Sequence, residues 1–238
     1  MKKGDMRRGE LLAAAERLFY TKGYEKTSVQ DILTEMNFSK GGFYHHFDSK
    51  LSVLEAICDM RAQECCDQAR QAAAQAEGTA VDKLNAVFHD SAFLTSASSS
   101  FVSLMIHVAY REDGALMREK MKKSQLVGMQ SVLEEILRQG VSEGEFFIGD
   151  VPTTAQMLLR LYLVLTDEIA FLLAQEESEE KIIDELVGKL NVYRTAIERV
   201  LVAPFGSVVL FEAMELQLLA QTVLRDRTRR RADALLGK

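Results

Sequence analysis

Residues 27–50 read TSVQDILTEMNFSKGGFYHHFDSK, and the pattern inside them decides the fold. Thr27-Ser28-Val29-Gln30 fits a capping box, with Thr27 capping the third helical amide and Gln30 reaching back. Val29, Ile32, Leu33 and Met36 then recur at helical spacing and make one apolar face. Asn37 stands where a tight turn needs a residue tolerant of positive φ, and asparagine is the best choice after glycine. Ser39 can cap a third, short helix from Lys40 to about His46. Phe43 and Phe47, four apart, turn inward. Lys40, Gly42, Tyr44 and His45 are left facing out. Two short helices joined by a tight turn, the second exposing basic, aromatic and very small residues, suit a helix-turn-helix that approaches a duplex closely. Gly41 and Gly42 are poor helix formers; close backbone approach to a partner would account for them, and a strained loop without a partner would too.

Outward from this stretch the chain reads as helix after helix. Residues 7–22 place Leu11, Leu12, Ala15, Leu18 and Phe19 on one face, and Gly23 stops them. Residues 49–76 read as one long helix with Leu51, Leu54, Ile57 and Cys58 on its apolar side. Thr79 can cap a helix from Ala80 to Phe93 that buries Leu84, Val87 and Phe88. A polar turn at 95–100, an apolar helix over 101–110 and a long helix from Leu116 to Gln139, ended by Gly140, follow. Beyond a loop at 141–149, Thr153–Gln175 and Ser178–Val202 carry broad apolar faces that must be buried. Pro204 and Gly206 break the chain. A final helix, Ser207–Leu236, would turn Phe211, Met214, Leu218 and Val223 to one side. Its end carries Arg225, Arg227, Arg229, Arg230 and Arg231, as a solvated terminus favoured by the helix dipole or as a second nucleic-acid contact. The reading is an all-α fold: an N-terminal three-helix domain, residues 1–50, followed by a helical bundle, residues 51–238.

Bulk chemistry agrees. The 238 residues are 47% hydrophobic and 27% charged, with two prolines, which is globular rather than disordered. The net charge of −6 is unevenly spread. Residues 1–50 hold nine Lys/Arg against seven Asp/Glu, so a mildly basic head sits on an acidic body, and nucleic-acid contact is confined to one end. The start, MKKGDMRRGELL, lacks the apolar segment of a secretory signal. The most apolar long stretch, 156–174, is broken by Arg160, Asp167 and Glu168, which argues against a membrane span. The expected location is the cytoplasm. No glycine-rich phosphate loop, metal-spaced cluster or nucleophile elbow is present, so neither an enzyme nor a cofactor protein is expected. Cys58 and Cys65 are seven apart on one helix face, about 10 Å along the axis, too far for a disulfide or one shared metal. A redox or metal sensor using Cys58, Cys65 or Cys66 would need help from another segment or subunit.

The run Thr-Ser-Val-Gln-Asp-Ile at 27–32, then Phe38-Ser39-Lys40-Gly41-Gly42-Phe43-Tyr44-His45-His46-Phe47 and Ser49-Lys50, resembles the tetracycline-repressor (TetR) family of bacterial transcriptional regulators over roughly residues 7–60. Met36-Asn37-Phe38 replaces the usual small-Gly-Val turn, and Gly42 replaces a more usual Thr, Ala or Ser. The resemblance implies a ligand-responsive regulator, most simply a repressor, that binds a palindromic operator as a homodimer and is released by a small molecule. It implies DNA contacts at Thr27 and Ser28 through hydroxyl or amide, at Ser39, Lys40, Gly42 and His45 toward bases or adjoining backbone, and at Tyr44 and Lys50 toward phosphates. It implies that residues 153–202 form the dimer helices. A helical interaction protein with impaired DNA binding is the alternative.

A DNA reader needs far fewer than 238 residues, so the body is expected to hold an effector. Phe88, His89, Phe93, Phe101, Met105, His107, Tyr110, Met121, Met129, Met157, Tyr162 and Thr166 mix aromatic and methionine side chains with isolated polar groups. Each of the apolar ones can equally fill core. The absence of a dense cationic cluster among them points to an apolar or cationic small molecule.

Overall fold

The structure is a computed structural model that describes residues 3–90, 106, 115–175, 177–211 and 213–235. Among the described residues there are helices and no strands. They are α1 (Lys3–Lys22), α2 (Val29–Glu35), α3 (Lys40–His46), α4 (Lys50–Gln75), α5 (Ala80–Asp90), α6 (Ala115–Glu143), α7 (Val151–Ala174), α8 (Glu179–Leu201) and α9 (Ala213–Leu235). None of them is long and apolar enough to cross a membrane.

Two separate cores form. The N-terminal one collects Leu11, Leu12, Ala15 and Phe19 of α1, Ile32 and Leu33 of α2, Phe43, Phe47, and Val53, Leu54, Ile57 and Cys58 of α4. The larger one begins further along α4, at Cys66 and Ala69, and joins α5, α6, α7, α8 and α9. The 26-residue α4 therefore belongs to both. At their junction Arg61 donates to Glu16 of α1 through Nε at 2.9 Å and Nη2 at 2.8 Å, and to Glu64 through Nη1 at 2.8 Å. Small residues let α6 lie close on α4: a β-carbon on Gly128 would fall 2.2 Å from the Cys66 sulfur.

Several boundaries differ from the sequence reading. α1 starts four residues earlier, at Lys3. Leu54, Ile57 and Cys58 of α4 are buried as expected, but Leu51 is exposed and Val53 takes the inward place. Gly140 does not end its helix. α6 continues to Glu143, and the missing side chain makes room for Phe146, whose ring would lie 2.1 Å from a β-carbon there. The turn comes at Gly144, φ +76.

Residues 207–211 are not helical; the last helix begins at Ala213. The backbone of that connector is bonded to side chains from elsewhere. Asn85 of α5 donates to the Ser207 carbonyl and accepts from the Val209 amide, both at 2.9 Å. Buried Glu198 accepts from the amides of Gly206 and Val208 at 2.8 and 3.2 Å. The face of α9 is also rotated from the expected one. Met214 (81% exposed) and Leu218 (51%) point to solvent, while Leu216, Leu219, Ala220 and Val223 are buried.

Candidate nucleic-acid interface

The turn between α2 and α3 is built by its own sequence. Asn37 adopts φ +49, and the Phe38 amide closes the turn onto the Leu33 carbonyl at 2.9 Å. The Ser39 hydroxyl accepts the Gly42 amide at 3.1 Å and caps α3. This geometry fixes which way α3 faces. Phe43 and Phe47 are buried in the N-terminal core. Lys40, Gly41, Tyr44 and His45 are exposed. The Tyr44 ring, 50% exposed, is braced edge-on against Phe43 at 5.3 Å, and its hydroxyl has no partner among the described residues. His46 is half-buried, with its ring 6.5 Å from that of Phe38.

The cap of α2 is one residue later than expected. Ser28, not Thr27, is the N-cap, and Asp31, not Gln30, is its reciprocal partner: the Ser28 amide donates to Asp31 Oδ2 at 2.7 Å, and the Asp31 amide donates to Ser28 Oγ at 3.1 Å. Thr27 is 1% exposed, and its hydroxyl donates to the carbonyls of Gly23 at 2.7 Å and Leu18 at 3.3 Å. Its amide is taken by the Tyr24 carbonyl at 3.2 Å. The hydroxyl and amide contacts expected of Thr27 are thus already made inside the protein, whereas Ser28 is exposed. The Lys22 ammonium, 2.7 Å from Asp31, and the Ser28 bonds hold the Asp31 carboxyl well below the usual carboxylate range.

Gly42 also differs in its cause. Its helical backbone does not need glycine. A β-carbon there would fall 2.7 Å from Phe38 Cε1 and 3.0 Å from Cζ, closer than real β-carbons come. The two departures from the family pattern, Phe38 and Gly42, are therefore one feature: the ring occupies the space that a side chain at 42 would take. Gly41 meets nothing within 4 Å.

Cations sort by position. Arg17 pairs with Glu35, Lys22 with Asp31 and Arg61 with Glu16, each at 2.7 to 2.8 Å. Lys40, Arg7, Arg8 and Lys26 have no carboxylate partner among the described residues. Arg7 and Arg8, which local sequence reading passes over, lie over the rings of Phe38 and Phe47. Lys50 donates to the Tyr24 carbonyl at 2.8 Å with its ammonium 4.1 Å from the Tyr24 ring centroid. That leaves two further N–H donors on the same ammonium.

In the body, Phe88, Met129 and Tyr162 are buried in the larger core. Tyr162 stacks between Phe88 at 5.1 Å and Phe211 at 5.9 Å. His89 is not a core histidine: it is half-exposed and 3.1 Å from Glu215 of α9. The Thr166 hydroxyl donates to the Leu163 carbonyl at 2.9 Å. Met157 is exposed and turns away from the body's interior. Phe93, Phe101, Met105, His107 and Tyr110, and the side chain of Met121, lie outside the described residues. Two open clefts, of ≈ 530 and ≈ 680 Å³, include none of the expected effector residues. All three cysteines are buried, and burial pushes the Cys58 and Cys65 thiols up to about 12. A protonated, inaccessible thiol is a poor sensor. Among the described residues no group of three His, Cys, Asp or Glu side chains is placed to hold a metal.

Residues 11–57 match the model of bacterial regulatory proteins of the tetR family. A segment of 50 residues is 48% identical to an uncharacterized HTH-type transcriptional regulator of Lactococcus lactis, covering 21% of this chain and 26% of that protein. Another, of 51 residues, is 45% identical to the HTH-type transcriptional repressor KstR2 of Rhodococcus jostii, covering 21% and 25%. The matches thus span about a quarter of those relatives' length. The fold extends further. A TetR-family regulator from Pectobacterium atrosepticum superimposes with a TM-score of 0.61 over 86% of this chain and 100% of its own, at 17% identity. SmeT, the repressor of a Stenotrophomonas maltophilia multidrug efflux pump, does so with 0.55 over 85% and 93%, at 20% identity. At such identities the likeness is one of fold.

Proposed function

We propose, from the premise that this chain belongs to the tetR family of bacterial regulatory proteins, that it is a ligand-responsive transcriptional regulator in the cytoplasm and represses by binding a palindromic DNA operator as a homodimer. The observation that carries the reading is the exposed face of α3. Lys40, Gly41, Tyr44 and His45 stand out from a helix whose Phe43 is fully buried, and Lys40, Arg7 and Arg8 hold no carboxylate among the described residues. Lys40, Ser39 and His45 read base edges, while Tyr44, Ser28 and Lys50 take phosphates. None of these roles is catalytic.

Two-fold operators need a two-fold protein. The surface of α7 supplies a stripe for it: Met157, Val164 and Phe171, seven residues apart, are exposed. Val187 of α8 is exposed nearby in the helix pair. Glu168 locks that pair by accepting from Lys189 at 2.7 Å and the Tyr193 hydroxyl at 3.0 Å. An effector in the body shifts the population toward a state in which the two reading heads are wrongly spaced. α4, shared by both cores and tied to α1 through Arg61, carries that shift. The test is a gel shift on DNA flanking the protein's own gene, with Tyr44→Phe and Lys50→Ala beside the native chain. The reading predicts a sequence-specific complex weakened in both variants; no such complex, with or without cell extract, overturns it.

A further inference from the structure

We propose that Arg7 and Arg8 are DNA-backbone contacts at the two ends of the recognition helix, and that Phe38 and Gly42 together place Arg7. This rests on the reading of α3 as a duplex reader. Because α1 begins at Lys3, both arginines lie within its first two turns, and both are exposed. They diverge. The Arg7 guanidinium carbon is 5.7 Å from the Phe38 ring centroid, and that of Arg8 is 5.0 Å from the Phe47 centroid. Phe38 directly precedes the cap of α3, and Phe47 is its C-cap. The two guanidinium groups thus attend opposite ends of the helix that faces DNA.

Three cations of this domain are neutralised: Arg17, Lys22 and Arg61 each hold a carboxylate. Arg7 and Arg8 hold only rings. A guanidinium resting on an aromatic face is attracted by the ring quadrupole and keeps its N–H edge outward. It has surrendered part of its rotamer freedom before any ligand arrives and offers two parallel donors, the geometry that suits phosphate oxygens. Gly42 belongs to the same device. A larger residue there would meet Phe38 Cε1 at 2.7 Å and displace the ring that Arg7 rests on. Gly42 then serves the ring rather than a close approach to bases. Phosphates look alike at every sequence, so these contacts add affinity and salt dependence without adding base preference.

The experiment uses the full chain and the DNA that it selects. Affinity is measured across a range of potassium chloride for the native protein, Arg7→Gln, Arg8→Gln, Phe38→Val and Phe38→Val with Arg7→Gln. Each arginine variant should flatten the slope of log K against log salt by about one for each phosphate left without its arginine, hence about two per dimer. The ranking of single-base operator variants should stay unchanged. Phe38→Val should flatten the slope as Arg7→Gln does, with no further flattening in the combination. An unchanged slope in both arginine variants, while the native protein binds, overturns the proposal and leaves the reading of α3 intact. A reordered base preference in the arginine variants overturns it as well. A native chain that forms no DNA complex overturns both.

Discussion

Gly41 and Gly42 are neighbours in one short helix, and replacing each by alanine should have different consequences. Both substitutions gain helix propensity and reduce unfolded-state freedom, together worth up to about 1 kcal/mol. At Gly41 nothing lies within 4 Å of the new methyl group, so Gly41→Ala should stabilise by roughly that amount. At Gly42 the methyl group would sit 2.7 Å from Phe38 Cε1 and 3.2 Å from Ser39 Oγ. The ring must move by about 1 Å, out of its packing on the N-terminal core and from under Arg7. Overpacking of this kind costs about 1–3 kcal/mol, so Gly42→Ala should fall below Gly41→Ala by about that much. In a Phe38→Val background the gap should close, since the obstructing ring is gone. Urea unfolding followed by far-UV circular dichroism, at one protein concentration for all variants, reads these differences. Equal stabilities for Gly41→Ala and Gly42→Ala, or a gap that survives Phe38→Val, would refute the coupling of residues 38 and 42.

Thr27→Val should destabilise by about 1 kcal/mol through the lost bond to the Gly23 carbonyl and leave the salt slope of DNA binding unchanged; a flatter slope would restore the phosphate role. The depressed Asp31 carboxyl contributes stability that is full above the ordinary carboxylate pKa of about 4 and is lost as pH falls below it. Asp31→Asn should therefore be less stable than the native chain at neutral pH, by a margin that narrows steadily as pH falls below about 4, and a pH-independent difference in thermal melts would contradict the assignment. Native protein should react with a thiol reagent only as fast as it unfolds, because Cys58, Cys65 and Cys66 are buried; rapid labelling of one thiol under native conditions would revive the cysteine-sensor alternative. Val164→Glu with Phe171→Glu should convert a dimer to a monomer in sedimentation, and an unchanged mass would place the dimer face elsewhere.

What the sequence showed plainly was local. The bounds of α3, its serine cap, the positive φ of Asn37 and the burial of Phe43 and Phe47 follow from turn chemistry and helical spacing within a dozen residues. Where two adjacent residues could serve the same purpose, as Thr27 and Ser28 do at the α2 cap, local rules chose the wrong one, because the competing demand on Thr27 comes from the end of α1. Distant partners were invisible. Gly140 reads as a helix stop until Phe146 is seen against it. Residues 207–211 read as helix until Asn85, more than 120 residues earlier, is seen holding their backbone. Arg7 and Arg8 carried no local signal, since nothing near them says that α1 will bring them over the rings flanking α3. Gly42 stands out in the sequence as a poor helix former, but the Phe38 ring that a β-carbon there would meet is visible only in the fold.

The central claim is that α3 reads a two-fold DNA site. It is met most directly by incubating the immobilised full-length protein with sheared DNA from its own genome and sequencing what is retained. The account predicts an enriched palindrome whose half-sites lie on one face of the duplex, and loss of that motif when Lys40 and His45 are replaced by alanine. Retained DNA with no shared motif, or the same motif recovered by the doubly substituted protein, would contradict it.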